Sequence, residues 1–145
     1  MKLPLTLPRI DHDRVVAALR AAELKTSGEI RVLIARHRAP DPVAAAKRHF
    51  ERMGRTGNRH RNGVLLFIAP RSRAFAVIGD TAVHAKCGDA FWTELAATMT
   101  GYFRRGEFTE GIVHGVEEAG ALLAEHFPPV PGSGGAPAGS VADVD

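Results

Sequence analysis

Apolar residues recur along this chain at two spacings, and the change from one to the other separates predicted helices from predicted strands. A spacing of three to four residues predicts helices over 11–24 and 41–53, a short helical turn over 81–88, and two later helices capped by Asp89 and Thr109. Short β-branched runs predict strands at 29–35, 63–69 and 74–79. Asp11 and Asp41 are suitable N-caps for the first two helices because their carboxylates can accept hydrogen bonds from free amides.

The order of these elements predicts an α/β fold, a single-domain three-layer α-β-α sandwich with a small mixed sheet. A right-handed crossover through the helix at 41–53 makes strands 29–35 and 63–69 parallel, and the short turn after 69 makes an antiparallel hairpin. In the second helix, the predicted inward face consists of Val43, Ala46, Phe50 and Met53. The predicted domain covers 10–128, between an N-terminal arm at 1–9 and a disordered tail at 129–145 that is rich in Pro, Gly and Ala.

This topology brings three oxygen-bearing side chains to one edge of the sheet. Glu29 and Asn62 stand at the beginnings of parallel strands, and Asp80 stands at the end of the antiparallel one. Carboxylate and amide oxygens suit Ca²⁺ or Mg²⁺ better than Zn²⁺, and Asp89 can complete the set of ligands. The alternative is that Glu29 and Asp80 cap turns and pair with nearby arginines.

Other candidate residues flank this edge. His84 follows Asp80 by four residues, so it is a candidate general acid or metal ligand, or a residue that closes a polar turn. Three arginines in the 54–63 loop could hold a phosphate, although a solvated loop is the alternative reading: Arg55, Arg59 and Arg61. The sequence has no GxSxG motif, and Thr93 stands where a Cys87-dependent phosphatase would need an arginine. Covalent catalysis is therefore disfavoured.

Composition narrows the class of protein further. The 145 residues fit one domain, and no apolar run approaches the roughly 18 residues of a membrane span. A net charge of +3 is too small to indicate nucleic-acid binding, and the arginine loop lacks interleaved aromatic residues for base stacking. A single cysteine, Cys87, fits a reducing compartment, so we expect a cytoplasmic protein.

Several segments, in order along the chain, resemble the signature segments of the TPM domain. The main ones are 27–32, 61–66 and 77–80, and the likeness continues through Phe91, Trp92, Phe103, Gly106, Gly111, Ile112, Phe127 and Pro128. The resemblance covers about 10–128 and is closest to short bacterial members without a membrane anchor. It implies an α/β sandwich and, in some members, a divalent metal bound by an acidic cluster.

The relatives implied by this resemblance have diverse roles. Plant thylakoid-lumen members are linked to photosystem repair and credited with a modest acid phosphatase activity, and an animal member assists an acetylcholine receptor. Longer members carry an aspartate where this chain has Asn62. The loss of that negative charge should weaken the binding of a hard cation.

These observations leave three functional hypotheses. The first is a soluble module that binds a divalent cation, with a protein partner or a small phosphorylated ligand. The second is a metal-dependent hydrolase of phosphoesters, in which Glu29 or His84 carries the proton. The third, which we disfavour, is a weak nucleic-acid binder that uses the 54–62 arginine loop.

Overall fold

A computed structural model describes residues 9–54, 63–129 and 141–144 of the chain. The elements, in chain order, are α1 His12–Glu23, β1 Glu29–Ala35, α2 Pro42–Gly54, β2 Gly63–Ala69, a 3₁₀ turn Pro70–Ser72, β3 Ala74–Gly79, α3 Thr81–Arg104, α4 Phe108–His126 and β4 Val141–Val144. The three predicted strands are confirmed with the same boundaries. The two helices predicted over 11–24 and 41–53 are confirmed, and each of their ends agrees to within one residue.

The described strands form one sheet in the order β3-β2-β1-β4. β1 and β2 are parallel, from Glu29 opposite Gly63 to Ile34 opposite Ile68. β2 and β3 form the predicted antiparallel hairpin, which begins with Val64 opposite Gly79. The predicted parallel pairing of β1 with β2 and the predicted hairpin are therefore both confirmed.

Helices cover both faces of this sheet, which confirms the three-layer sandwich. One hydrophobic cluster joins α1, α3 and α4 to alternate residues of the strands, including Ile30, Val64 and Leu66. A smaller cluster joins α2 to the opposite face through Leu65 and Phe67. β2 is buried along its whole length because helices pack on both of its faces.

Two predicted helix caps are confirmed and a third is wrong. The Asp11 carboxylate accepts a hydrogen bond from the Arg14 amide at 3.2 Å, and Asp41 accepts one from the Ala44 amide at 3.1 Å. Thr109 does not cap α4, because that helix begins one residue earlier. The Thr109 hydroxyl instead accepts a hydrogen bond from the Asp11 amide at 2.9 Å and so ties the start of α4 to the start of α1.

α3 contains the predicted break between a short helical turn and a longer helix. Gly88 has φ 72° and ψ 172° inside the element, a left-handed backbone value that glycine adopts without steric cost. The second part of α3 buries Leu95 and Met99 completely. The kink at Gly88 therefore divides α3 into two helical parts.

The structure differs from the sequence prediction at two further places. In α2, the predicted inward residues Ala46 and Phe50 do pack toward the sheet, but Val43 is 46% exposed and Ala45 is buried in its place. Within the tail predicted to be disordered, Val141–Val144 forms β4, which pairs in parallel with β1. Four residues after a stretch rich in Gly and Pro carry too little pattern to predict a strand, and its formation depends on the open edge of β1.

Candidate functional site

The predicted rim is the edge where β1 and β2 begin and β3 ends. Glu29 is the register partner of Gly63, and the Asp80 amide donates a hydrogen bond to the Gly63 carbonyl at 2.9 Å. Glu29 and Asp80 therefore flank the same residue, on the two strands beside β2. With adjacent strands about 4.8 Å apart, their backbones are about 10 Å from each other.

Both carboxylates belong to the face of the sheet that α2 covers. Glu29 is four residues from Leu33, and Asp80 is two residues from Ile78 in extended backbone. Leu33 and Ile78 both pack against the α2 cluster. Because side chains in a strand alternate between the two faces, Glu29 and Asp80 are placed on the same side.

Asp80 is the buried member of this pair, with only 7% of its surface exposed. It is the N-cap of α3, and its Oδ1 accepts a hydrogen bond from the Thr81 amide at 2.8 Å. The positive end of the helix dipole favours a negative charge at this position. This is the side-chain hydrogen bond that the structure shows for Asp80.

Glu29 is more accessible, with 32% of its side chain exposed. It lies beside Arg31, with 3.7 Å between a guanidinium nitrogen and Oε2, a long contact for an ion pair. A half-exposed pair of this length is weak and leaves the carboxylate free to change partners. The alternative roles predicted for the two carboxylates, a cap for Asp80 and an arginine contact for Glu29, are therefore both present.

The turn before β1 fixes the position of Glu29. The Phe127 carbonyl at the end of α4 accepts hydrogen bonds from the Ser27 amide at 3.0 Å and from the Thr26 hydroxyl. The same Thr26 oxygen accepts a hydrogen bond from the Gly28 amide at 3.0 Å. This closed network holds the entry to β1 against α4, and the sequence offered no sign of the long-range contact.

The remaining predicted ligands are not gathered with Glu29 and Asp80 in the described structure. His84 is exposed, and its ring lies 5.4 Å from that of Trp92 in a tilted arrangement. Asp89 is exposed and follows the break at Gly88. In the described part of the chain no three His, Cys, Asp or Glu side chains are grouped to hold a metal. Four predicted site residues lie outside the described residues: Arg55, Arg59, Arg61 and Asn62.

Trp92 is a neighbour of the rim, a position that the sequence pattern does not indicate. A Cβ atom on Gly79 would lie 2.5 Å from Cζ2 of this indole, so the ring packs directly on the β3 backbone just before Asp80. Its Nε1 is buried without a hydrogen-bond partner among the described residues. The packing depends on the direction that α3 takes after Gly88, which no local sequence pattern encodes.

The lone cysteine behaves as a structural residue. Cys87 is half-buried and packs against the larger core cluster. Burial is the main cause that raises the pKa of the thiol; Glu125 raises it further, and Lys86 partly opposes the rise. A thiol with a raised pKa is a poor nucleophile at neutral pH, which agrees with the expectation against covalent catalysis.

The model of the TPM domain family matches residues 6–122. The chain belongs to the TPM domain family. No curated protein matches this TPM domain significantly.

In the described part of the chain, no helix is both long and apolar enough to cross a membrane. The cytoplasmic location stays a prediction.

Solved structures show the same fold. The BA42 protein of the psychrophilic bacterium Bizionia argentinensis is 28% identical, with a TM-score of 0.81 over 92% of this chain and 94% of that one. The N-terminal domain of cg2496 from Corynebacterium glutamicum is 16% identical, with a TM-score of 0.55 over 77% and 68%. The N-terminal domain of a protein from P. gingivalis is 17% identical, with a TM-score of 0.53 over 86% and 96%. The last two likenesses concern the fold alone.

Proposed function

We propose that this TPM domain binds a divalent cation, Ca²⁺ or Mg²⁺, at the rim where Glu29 and Asp80 flank Gly63. The observation that carries the proposal is the state of Asp80. Asp80 is only 7% exposed, and the described structure gives its carboxylate one hydrogen bond, from the Thr81 amide at the start of α3 to Oδ1. Charge in a largely buried place is costly unless it is compensated, and a cation between Asp80 and Glu29 would add to the compensation that the helix amide provides.

The described donors account for part of a coordination sphere. Ca²⁺ takes six to eight oxygen ligands at about 2.3–2.6 Å, whereas Mg²⁺ takes six at about 2.0–2.1 Å. Glu29 and Asp80 provide carboxylate oxygens from the two strands beside β2. Water and the chain segment that enters Gly63, which ends in Asn62, are the sources of the remaining donors in this proposal.

An asparagine at position 62 makes this a weak site. Two carboxylates and an amide carry one negative charge fewer than three carboxylates, and calcium affinity in proteins follows the number of charged ligands. We expect a dissociation constant on the order of 10⁻⁴ M. Binding of the ion would link the start of β1 to the start of α3. The proposed role of the ion is to hold this edge of the sheet in one conformation, to which a protein partner or a small phosphorylated ligand binds.

A gain-of-affinity variant tests the proposal. Asn62→Asp adds a negative charge beside the ion, worth at least about 1 kcal/mol, so its calcium affinity should rise at least about fivefold over wild type. Asp89→Asn is the matched control, and its affinity should equal that of wild type. Equal affinity of wild type and Asn62→Asp would contradict the proposed site. If wild type turned over a phosphoester and Asp80→Asn abolished that turnover, the ion would instead be part of a hydrolase.

A further inference from the structure

The face of β1 on the α2 side of the sheet is only partly covered. Burial alternates along β1, so that every second residue from its start is half-buried. These residues lie on the α2 side, and we call them the β1 strip: Glu29, Arg31 and Leu33. α2 packs on β2 and β3, and β2 is buried along its whole length. The β1 strip therefore lies beside α2 instead of beneath it and is accessible to a ligand.

The two charged residues of the β1 strip are partners of each other. A guanidinium nitrogen of Arg31 lies 3.7 Å from Oε2 of Glu29, and both side chains are about a third exposed or less, at 26% and 32%. Residues two positions apart in a strand are about 7 Å apart on one face, so Arg31 is close to any ion that Glu29 binds. Among the described carboxylates, Glu29 is the one that forms an ion pair with Arg31. Arg31 is therefore the counter-charge of Glu29 when no cation is bound.

Two further arginines flank the β1 strip from α2. Arg48 and Arg52 are exposed and lie about one helical turn apart. α2 returns from the end of β1 to the start of β2, and in a right-handed crossover the flank of α2 that carries these two residues faces β1. Burial lowers the pKa of His49, which stacks on Phe67 of β2, and the charges of Arg52 and Arg48 lower it further. The two positive charges therefore act on the side of α2 that faces the sheet.

Arg52 is about level with Arg31 along the sheet. The ring of His49 lies 5.7 Å from that of Phe67, which is the register partner of Leu33. Three residues of helix bring Arg52 about 4.5 Å closer to the rim than His49. Two residues of strand bring Arg31 about 7 Å closer to the rim than Leu33. Two guanidinium groups, one from the strand and one from the helix, therefore flank the approach to the proposed cation site.

We propose that a divalent cation displaces Arg31 from Glu29, and that the released guanidinium then joins Arg52 in binding the phosphoryl group of a small ligand beside the ion. Both steps depend on the cation site proposed above, and they name the ligand that the occupied site selects. One carboxylate cannot fully compensate two positive groups, so the ion and Arg31 compete for Glu29. A phosphoryl group has three acceptor oxygens and a charge of about −1.5 to −2, which suits two arginines and an ion together.

Cation and phosphoryl group should therefore bind cooperatively. An occupied cation site leaves Arg31 without its carboxylate and adds positive charge beside it, so the affinity for a phosphoryl group rises. By linkage, the phosphoryl group raises the affinity for the ion by the same factor. Cooperation of this kind is measurable with the ion and a phosphoryl compound alone.

Calorimetric titration of Ca²⁺ and Mg²⁺ into Arg31 variants of the full chain tests the competition. Arg31→Gln removes the competing charge, so it should bind the ion at least about threefold more tightly than wild type does. Arg31→Lys keeps the charge and should bind the ion like wild type. Arg38→Gln is the matched control, because it removes the same charge beyond the far end of β1, about 20 Å from Glu29, and should leave the affinity unchanged.

The outcomes separate the two proposals. Equal ion affinity of wild type and Arg31→Gln, with both folded by circular dichroism, would overturn the role of Arg31 and leave the cation site standing. Binding of neither ion by wild type and the variants would overturn both.

Methylphosphonate tests the ligand, because its phosphoryl group is held by a carbon bond that phosphoester hydrolysis does not cleave. In its presence wild type should bind the ion at least about threefold more tightly. Arg31→Gln and Arg52→Gln should each lose most of this gain, whereas Arg38→Gln should keep it. Acetate at the same ionic strength should give a smaller gain, because it has one charge and two oxygens.

Three results would overturn the phosphoryl site. The first is an ion affinity of wild type that methylphosphonate leaves unchanged. The second is a gain that Arg31→Gln and Arg52→Gln keep in full, which would mean that the phosphoryl group binds elsewhere. The third is an equal gain with acetate, which would remove the preference for phosphoryl groups.

Discussion

Gly79→Ala tests how closely α3 packs on the strand that leads into the rim. An added Cβ would lie 2.5 Å from Cζ2 and 2.7 Å from Cη2 of Trp92, and 3.4 Å from a Val83 methyl group. Contacts below 3.0 Å cannot persist, and an indole packed into the core has no flexible end that could yield. The ring or the strand must therefore move.

The expected cost follows from two opposing effects. Overpacking a well-filled site destabilises the folded protein by about 1–3 kcal/mol. Replacing glycine by alanine also reduces the conformational freedom of the unfolded chain, which stabilises the folded protein by about 0.4–1 kcal/mol. The net destabilisation lies between about 0 and 2.6 kcal/mol, and the mid-values of the two effects give about 1.3 kcal/mol. For a domain of this size each kcal/mol lowers the melting temperature by about 3–4 °C, so we expect a fall of roughly 4–5 °C.

Urea denaturation followed by tryptophan fluorescence measures this effect. Trp92 is the only tryptophan in the chain, so its emission reports both unfolding and any native-state displacement of the ring. Gly101→Ala is the matched control: its Cβ would meet only an Arg105 nitrogen at 3.8 Å. In a helix interior that change should stabilise by up to about 1 kcal/mol. If Gly79→Ala were as stable as wild type with unchanged emission, the packing described for Trp92 would be refuted.

Two further predictions concern titrating groups. Cys87 should react with a thiol reagent at pH 8 more slowly than a free thiol, and Glu125→Gln should speed the reaction because it removes a charge that raises the thiol pKa. Equal rates in wild type and variant would contradict this cause. Burial lowers the pKa of His49, and the positive charges of Arg52 and Arg48 lower it further. On acidification this histidine therefore takes up its proton at a higher pH in the unfolded chain than in the folded one. The wild type should lose stability as pH falls below about 6.5, and His49→Gln should lose less, measured as urea midpoints from pH 7.5 to 5.5.

The sheet and the placement of the two carboxylates followed from local pattern and connectivity. The β-branched runs fixed the strands, and the single crossover made β1 parallel to β2, so Glu29 and Asp80 had to reach the same edge. The capping roles of Asp11 and Asp41 were predictable because an N-cap side chain binds the backbone amide only three residues later in the chain. These features need no knowledge of the rest of the fold.

The misses have a common cause, which is dependence on distant partners. Whether the Thr109 hydroxyl caps its own helix or binds α1 depends on how the two helices meet. The strand at 141–144 depends on the open edge of β1, and the contact of Trp92 with Gly79 depends on the break at Gly88. Side chains whose neighbours lie far away in sequence leave no local pattern to read.

Calorimetric titration of Ca²⁺, Mg²⁺ and Zn²⁺ into wild type and Asp80→Asn tests the central claim most directly. Asparagine is also a good N-cap, so Asp80→Asn keeps the start of α3 while it removes the charge. The account predicts that wild type binds one Ca²⁺ or Mg²⁺ more tightly than Zn²⁺, and that the variant loses this binding with its fold intact by circular dichroism. No heat of binding from any of the three ions to wild type, or equal binding of Ca²⁺ by both proteins, would contradict it.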